Sequence, residues 1–293
     1  MPKPAGLDHI VLCVRDLDAA RERFKALGFT TTPPAEHPFG TGNSLAQMGS
    51  SFIELLSVIE PQRIPPHAEG SFSFGAHNAA FLERREGMSM LVLSSEDARD
   101  DEARWRAGGL DTFEPVYFER KATLPDSSEA EVAFTIAFAV NEALPGVVFF
   151  CCQQHAPQAF WQPAYQSHAN GAKDLSSVTL VAEDPQRHAA FFETLLGDSL
   201  ITVGPRGLEA STGLGRIEVI APGEVSQRFP KGAGITWNGR AGFVATAVGV
   251  ADIDVPARIL KANKVTHIGS GERIMVPPAE CFGMALEFIA ISA

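Results

Sequence analysis

The sequence predicts an α+β fold: four βαβββ modules paired into two cupped, barrel-like mixed sheets. Three observations lead there. First, an apolar strand, an acidic turn and an amphipathic stretch recur four times along the 293 residues, the signature of internal duplication. Second, each copy is followed by short alternating runs bounded by Gly, Pro, Asn and Ser, which read as strands joined by hairpins. Third, one such unit cannot bury its own sheet face, so copies must pair around a shared hollow.

The first module opens on LDHIVLCVRDLDAARERFKALGF, residues 7–29, and continues through NSLAQMG and SSFIELLSV. The stretch PQRIPPHAEGSFSFGAHN, rich in Pro, His and Gly, then reads as a long coil. The second module begins at Gly87 with GMSMLVLSSEDARDDEARWRAGGL, followed by PVYFERKA, EVAFTIAFAV and GVVFFCCQQ. The third, SSVTLVAEDPQRHAAFFETLLG, leads into LITVG, GLEAST and GRIEVIAP. The fourth, GFVATAVGVADIDVPARILKANKV, leads into VTHIG, ERIMVPPAE and GMALEFIAI. Asp16, Asp97, Asp184 and Asp252 stand at the four turns. An aspartate there suits a helix N-cap, because its carboxylate accepts from the unpaired amides of the first turn. The chain therefore divides into an N-terminal domain (1–155, modules one and two), a connector (156–174) and a C-terminal domain (175–293, modules three and four).

Charge and composition exclude several roles. Hydrophobic residues make up 45% and charged residues 20%, ordinary for a soluble globular chain. The formal net charge of -11 argues against a nucleic-acid partner. No apolar run approaches membrane-spanning length, and MPKPAGLDHI lacks the apolar segment of a signal peptide, so no membrane partner and a cytoplasmic location are expected. Cys13, Cys151, Cys152 and Cys281 fit neither a zinc motif nor a disulfide framework. No GxSxG or HExxH motif is present, and the glycine-rich GPRGLEASTGLGR lacks the lysine of a phosphate loop.

The stretches LDHIVLCVRDLDAARERFKALGF, HPFGTGNSLAQMGSSFIELLSV and SHANGAKDL resemble the vicinal-oxygen-chelate superfamily, the group of glyoxalases, bleomycin-resistance proteins and extradiol dioxygenases, and within it the glyoxalase-like domain branch. The resemblance extends at fold level over nearly the whole chain. It implies a divalent metal (Zn, Fe, Mn, Ni or Co) held inside a cupped sheet by residues of first and last strands. His9 and Glu54 fall on such positions, and Gln153 is the nearest ligand type in module two. The other first strands carry Ser89, Ser177 and Ala245 near the His9 place, while Glu218 and Glu287 match Glu54. Either His37 or His168 completes the ligand set, or the pocket has lost its metal. An inward His or Glu is also compatible with a satisfied core polar group.

A carboxylate amid the leucines of FIELL is costly unless paired or metal-bound. Glu54 is thus a candidate catalytic base as well as a ligand, and His37 in HPFGTGN is a second catalytic candidate. Thr41 and Asn43 of the same loop, Trp161 of the connector, and His168 and Asn170 of SHANGA are candidate substrate contacts, with structural roles as the alternative. The resemblance implies a small-molecule enzyme, a metal-assisted lyase or isomerase acting on a compound with vicinal oxygens. Its rivals are a non-catalytic, resistance-type binding protein and a ring-cleaving dioxygenase. A homodimer is compatible with the fold.

Overall fold

The computed structural model of the protein describes residues 6–197 and 200–291. Module one comprises β1 (Leu7–Cys13), α1 (Leu17–Ala26), β2 (Ala35–Glu36), β3 (Thr41–Gln47) and β4 (Phe52–Val58). Helix α2 (Phe74–Arg84) follows. Module two contains β5 (Gly87–Ser95), α3 (Ala98–Ala107), β6 (Asp111–Thr112), β7 (Val116–Thr123), β8 (Glu129–Val140) and β9 (Val148–Gln154). The connector carries the short α4 (Pro157–Phe160). Module three has β10 (Ala172–Val181), α5 (Ala189–Leu196), β11 (Leu200–Gly204), β12 (Gly207–Ser211) and β13 (Arg216–Ile220). After the single turn α6 (Val225–Arg228), module four has β14 (Gly242–Val250), α7 (Asp254–Ala262), β15 (Ile268–Ser270), β16 (Arg273–Val276) and β17 (Ala285–Ala290).

The expected pairing holds. Modules one and two share a nine-stranded sheet in the order β2-β3-β4-β1-β5-β9-β8-β6, with β7 on β8. Modules three and four share an eight-stranded sheet, β11-β12-β13-β10-β14-β17-β16-β15. In each, the two first strands lie antiparallel at the centre, and each runs parallel to the last strand of its own module. Module two exceeds the expected three final strands, because the long β7–β8 hairpin adds one.

Alternation sorts the side chains between two environments. On β1, Ile10 and Leu12 face the outer core, whereas Val11 and Cys13 face the hollow. The outer core is continuous across the molecule: Phe149 of β9 meets Phe191 of α5 and Phe243 of β14, with ring centroids 5.4 and 5.7 Å apart. The N-terminal hollow is lined mainly by aromatic residues, Phe52, Phe74, Phe134, Phe150 and Phe160 among them.

Two of the four acidic turns cap their helices as the sequence predicts: Asp16 accepts from the Ala19 amide, and Asp97 from Arg99 and Asp100. Asp252 stands one residue before the N-cap, Ile253, and accepts from the Asp254 amide. Asp184 does not cap; it adopts a left-handed backbone (φ 45°) ahead of Pro185, and the chain enters α5 through a 3-10 turn instead. The stretch expected as coil before module two contains the start of α2. Its Pro residues end before Ser73, whose hydroxyl accepts from the Ala76 amide and caps the helix.

Candidate functional site

The N-terminal hollow closes on a cavity of about 40 Å³, lined by polar His9, His37, Asn43, Glu54, Arg120 and Cys152 within a ring of phenylalanines. By cavity size this is room for roughly three waters. Strand parity explains how the polar groups meet. In the register His9 pairs with Phe52 and Val11 with Glu54, so His9 and Glu54 are diagonal neighbours on one face. Leu45 pairs with Glu54 and Asn43 with Leu56, which brings Asn43 to Glu54 from the other side. Arg120 shares the inward face of β7 with Phe118, at the alternate positions that period-two geometry dictates.

Glu54 is the centre. It is 4% exposed. One oxygen accepts from Asn43 Nδ2 at 2.6 Å and lies 3.8 Å from His37 Nε2; the other lies 3.7 Å from His9 Nε2. Burial raises the carboxyl above its ordinary pKa, and the charge of His9, the Asn43 bond and Arg120 only partly offset this. His9 stacks on Phe52 at 4.1 Å, and its Nδ1 meets Asp8 Oδ1 at 2.5 Å. With Asp8 as acceptor, Nδ1 carries the proton and Nε2 is turned to Glu54. The contact between neighbours in sequence depends on a bulge: Leu7 pairs with Leu93 and His9 with Val92, so Asp8 is the extra residue and is re-aimed. Gln154 also donates to Asp8, at 3.4 Å.

His37 stacks on Phe39 and meets the edges of Phe74 and Phe118. Burial first, and then the positive charges of Arg120 and His9, hold its pKa well below the ordinary value. The neutral ring pairs Nδ1 with Thr41 Oγ1 at 2.8 Å, and Nε2 accepts from Asn43 at 3.2 Å. Thr41 thus orients His37 rather than reaching the cavity. Burial pushes the Cys152 thiol well above its usual range, which leaves it protonated and no nucleophile.

Two buried polar atoms on cavity-lining residues have no partner, Asn43 Oδ1 and Arg120 Nε. Each such atom costs about 1–3 kcal/mol in a folded protein when left without a partner.

Several expected contacts lie elsewhere. Gln153 was expected as a metal ligand, but β9 alternates Phe150 and Cys152 inward, so Gln153 points to the helix side. There it donates to the Glu96 carbonyl and accepts from the Ala98 amide, capping α3. His168 and Asn170 were expected at the substrate. His168 instead bridges the Thr30 amide and the Gln47 carbonyl at 3.0 and 2.5 Å. Asn170 donates to the Leu27 carbonyl and accepts from Ala172, sealing the connector onto α1. Gly28 permits this approach: its φ is +89°, and a Cβ there would come within 2.9 Å of the Asn170 Cβ. Trp161 packs on Phe52 and Phe160, so Phe160 rather than Trp161 walls the cavity.

The resemblance implies a divalent metal, and the donors are not arranged for one. The Asn43 amide nitrogen sits on both a Glu54 oxygen and His37 Nε2, the atoms an ion would need. Among the described residues no three His, Cys, Asp or Glu side chains are grouped to hold a metal.

The C-terminal hollow repeats the framework with different chemistry. Thr179 pairs with Glu218 and Ala247 with Glu287, as Val11 pairs with Glu54. Ser177 and Ala245 thereby occupy the places equivalent to His9. Arg228 of α6 reaches in and donates to Glu218 at 2.7 Å and to Glu287 at 2.9 and 3.2 Å. Arg273 adds a bond to Glu287 at 2.8 Å.

A model of the glyoxalase-like domain family matches residues 7–196. No curated protein matches the chain. Among solved structures, a hypothetical protein from Staphylococcus aureus superposes with a TM-score of 0.70 at 11% identity, covering 98% of this chain and 99% of that one. A triple mutant of 4-hydroxymandelate synthase from Streptomyces coelicolor gives 0.61 at 14% identity, covering 99% of this chain and 93% of that one. A xylose isomerase-like TIM barrel/4-hydroxyphenylpyruvate dioxygenase fusion protein gives 0.57 at 14% identity, covering 100% of this chain and 50% of that one. At such identities the likeness is one of fold. No helix among the described residues is long and apolar enough to cross a membrane.

Proposed function

Because the chain belongs to the glyoxalase-like domain family, we propose that its N-terminal cup catalyses proton transfer on a small compound with adjacent oxygens, as an isomerase or lyase. The observation that carries this reading is Glu54, a carboxyl sunk among aromatic rings with two imidazoles and an amide converging on it. Burial raises its pKa toward the working range of a general base.

Each neighbour has a role in that reaction. Glu54 takes the proton from the carbon beside a carbonyl. On an α-hydroxy carbonyl, His9 Nε2 takes the hydroxyl proton and returns it to the former carbonyl oxygen while Glu54 returns its proton to the neighbouring carbon, and Asp8 stabilises the imidazolium in between. Asn43 holds Glu54 in place. Arg120, whose Nε lacks a partner, offers an anchor for a carboxylate or enolate oxygen. The phenylalanines exclude water and strengthen each of these interactions. No step is routed through a metal. A ring-cleaving dioxygenase is less well supported: Ser177 and Ala245 stand where the C-terminal half would need histidines, and Arg228 fills the space between its glutamates.

Exchange of carbon-bound hydrogen in D2O, followed by proton NMR with hydroxyacetone and pyruvate as probes, tests the reading. The wild type should accelerate exchange of at least one probe, and Glu54→Gln should lower the rate about 10²- to 10⁴-fold. Glu218→Gln should retain it. Dialysis against EDTA should leave the rate unchanged; a loss restored by a divalent ion would overturn the metal-independent mechanism. Saturable binding of a probe with no exchange would make the cup a binding site instead.

A further inference from the structure

A second hollow is lined by residues of both halves. It is a groove of about 880 Å³ formed by the end of α2, the start of β5 and residues 234–244. Arg84, Arg85 and Arg240 line it. Among the described residues none of the three has a carboxylate partner, although the chain carries 35 acidic residues against 24 basic ones. The acidic residue in the lining, Glu86, is turned to Arg15, whose amide it accepts at 2.8 Å and whose guanidinium lies 3.7 Å away.

Arg85 is placed with care. Its guanidinium stacks on the Phe81 ring at 4.7 Å. It also fills a slot left by two glycines, one from each half. A Cβ on Gly87 would come within 2.7 Å of Arg85 Nη1, and one on Gly242 within 3.2 Å of Nη2. These glycines open β5 and β14, the corresponding strands of the two halves. Burial and the like charge of Arg84 both act against the charged form of Arg85, a cost that a bound anion relieves. Trp237, whose indole donates to the Arg240 carbonyl at 3.0 Å, adds a flat apolar wall.

We propose that this groove binds a small polyanion of the phosphate or pyrophosphate class, gripped by Arg84 and Arg85 from the N-terminal half and by Arg240 from the C-terminal half. Guanidinium forks suit tetrahedral oxyanions, and that of Arg85 is already held in place. The overall negative charge repels long polyanions such as nucleic acids at distance, whereas a small ligand meets only the local field, which is screened within about 10 Å at 0.1 M salt.

Isothermal titration of the full chain with inorganic pyrophosphate tests this. The wild type should show one saturable site that weakens as salt is raised. Arg85→Gln should reduce affinity about tenfold or more. Arg240→Gln, at an exposed position where folding is not at stake, should reduce it about threefold or more. Arg258→Gln on α7 should leave it unchanged. Absence of saturable binding in the wild type, equal affinity in all variants, or binding of citrate but not pyrophosphate would overturn the proposal.

Discussion

The two hollows place glutamates at equivalent strand positions and treat them in opposite ways. In the N-terminal cup, Glu54 faces imidazoles, an amide and phenylalanines, and burial pushes its pKa up. In the C-terminal cup burial also acts on Glu218, but the charge and bond of Arg228, with Arg216, overrule it and pull the pKa down. Glu287, fully buried, is held by Arg228 and Arg273. One framework therefore yields a carboxyl whose charged form burial disfavours and a pair held by arginines. The difference rests on α6, a single turn that delivers one guanidinium.

The largest expected effect breaks the locked cup. Arg228→Met removes the shared partner of Glu218 and Glu287, leaving Arg216 on the first and Arg273 on the second; loss of a buried ion-pair partner costs up to about 3–5 kcal/mol. Calorimetry should show Tm lowered by on the order of 10 °C, with exchange at the N-terminal cup retained once the protein is folded. Next comes pH. The folded-state pKa of Glu54 lies above the unfolded one, so its contribution to stability is complete at low pH and is lost as pH rises through the folded pKa. Glu54→Gln should therefore raise Tm at pH 8, with the gain disappearing below about pH 4.5, the ordinary value. Glu218 has the reverse sign: its contribution is present above the ordinary value and is lost as pH falls through the depressed one. Glu218→Gln should thus lower Tm at pH 7 and cost less as the solution is acidified. The smallest effect belongs to Gln153→Ala. It removes the side-chain bonds at the start of α3 and should cost about 0.5–2 kcal/mol in a denaturant titration, with exchange activity unchanged.

The sequence revealed the framework because that framework is repeated. Strand alternation and acidic turns survive in all four modules even where identity does not. His9 and Glu54 stand out in the sequence for a related reason, as polar residues inside apolar strands, whereas His37 and Asn43 stand out as polar side chains of the glycine-bearing HPFGTGN stretch. Asp8 was hidden, since simple alternation sends it to the opposite face and only a bulge turns it back to His9. Arg120 was hidden in VYFERKA, where its neighbours Glu119 and Lys121 are exposed and make the run look like a solvated edge. Gln153 lies one residue from the inward Cys152, and a single-residue step reverses the face in any strand. Helix α2 was masked by the prolines and glycines before it, although it supplies Phe74 to the cavity. His168 and Asn170 carry polar atoms suited to a ligand, but the connector's own backbone uses them.

The most direct test is a carbon-13 NMR titration of glutamate side-chain carboxyls in the folded protein, with Glu54→Gln and Glu218→Gln supplying the assignments. The resonance lost in Glu54→Gln should titrate above the ordinary glutamate range, and the one lost in Glu218→Gln below it. If Glu54 titrates at or below the ordinary value, the cup holds an ion like its C-terminal counterpart, and the contrast between the two hollows fails.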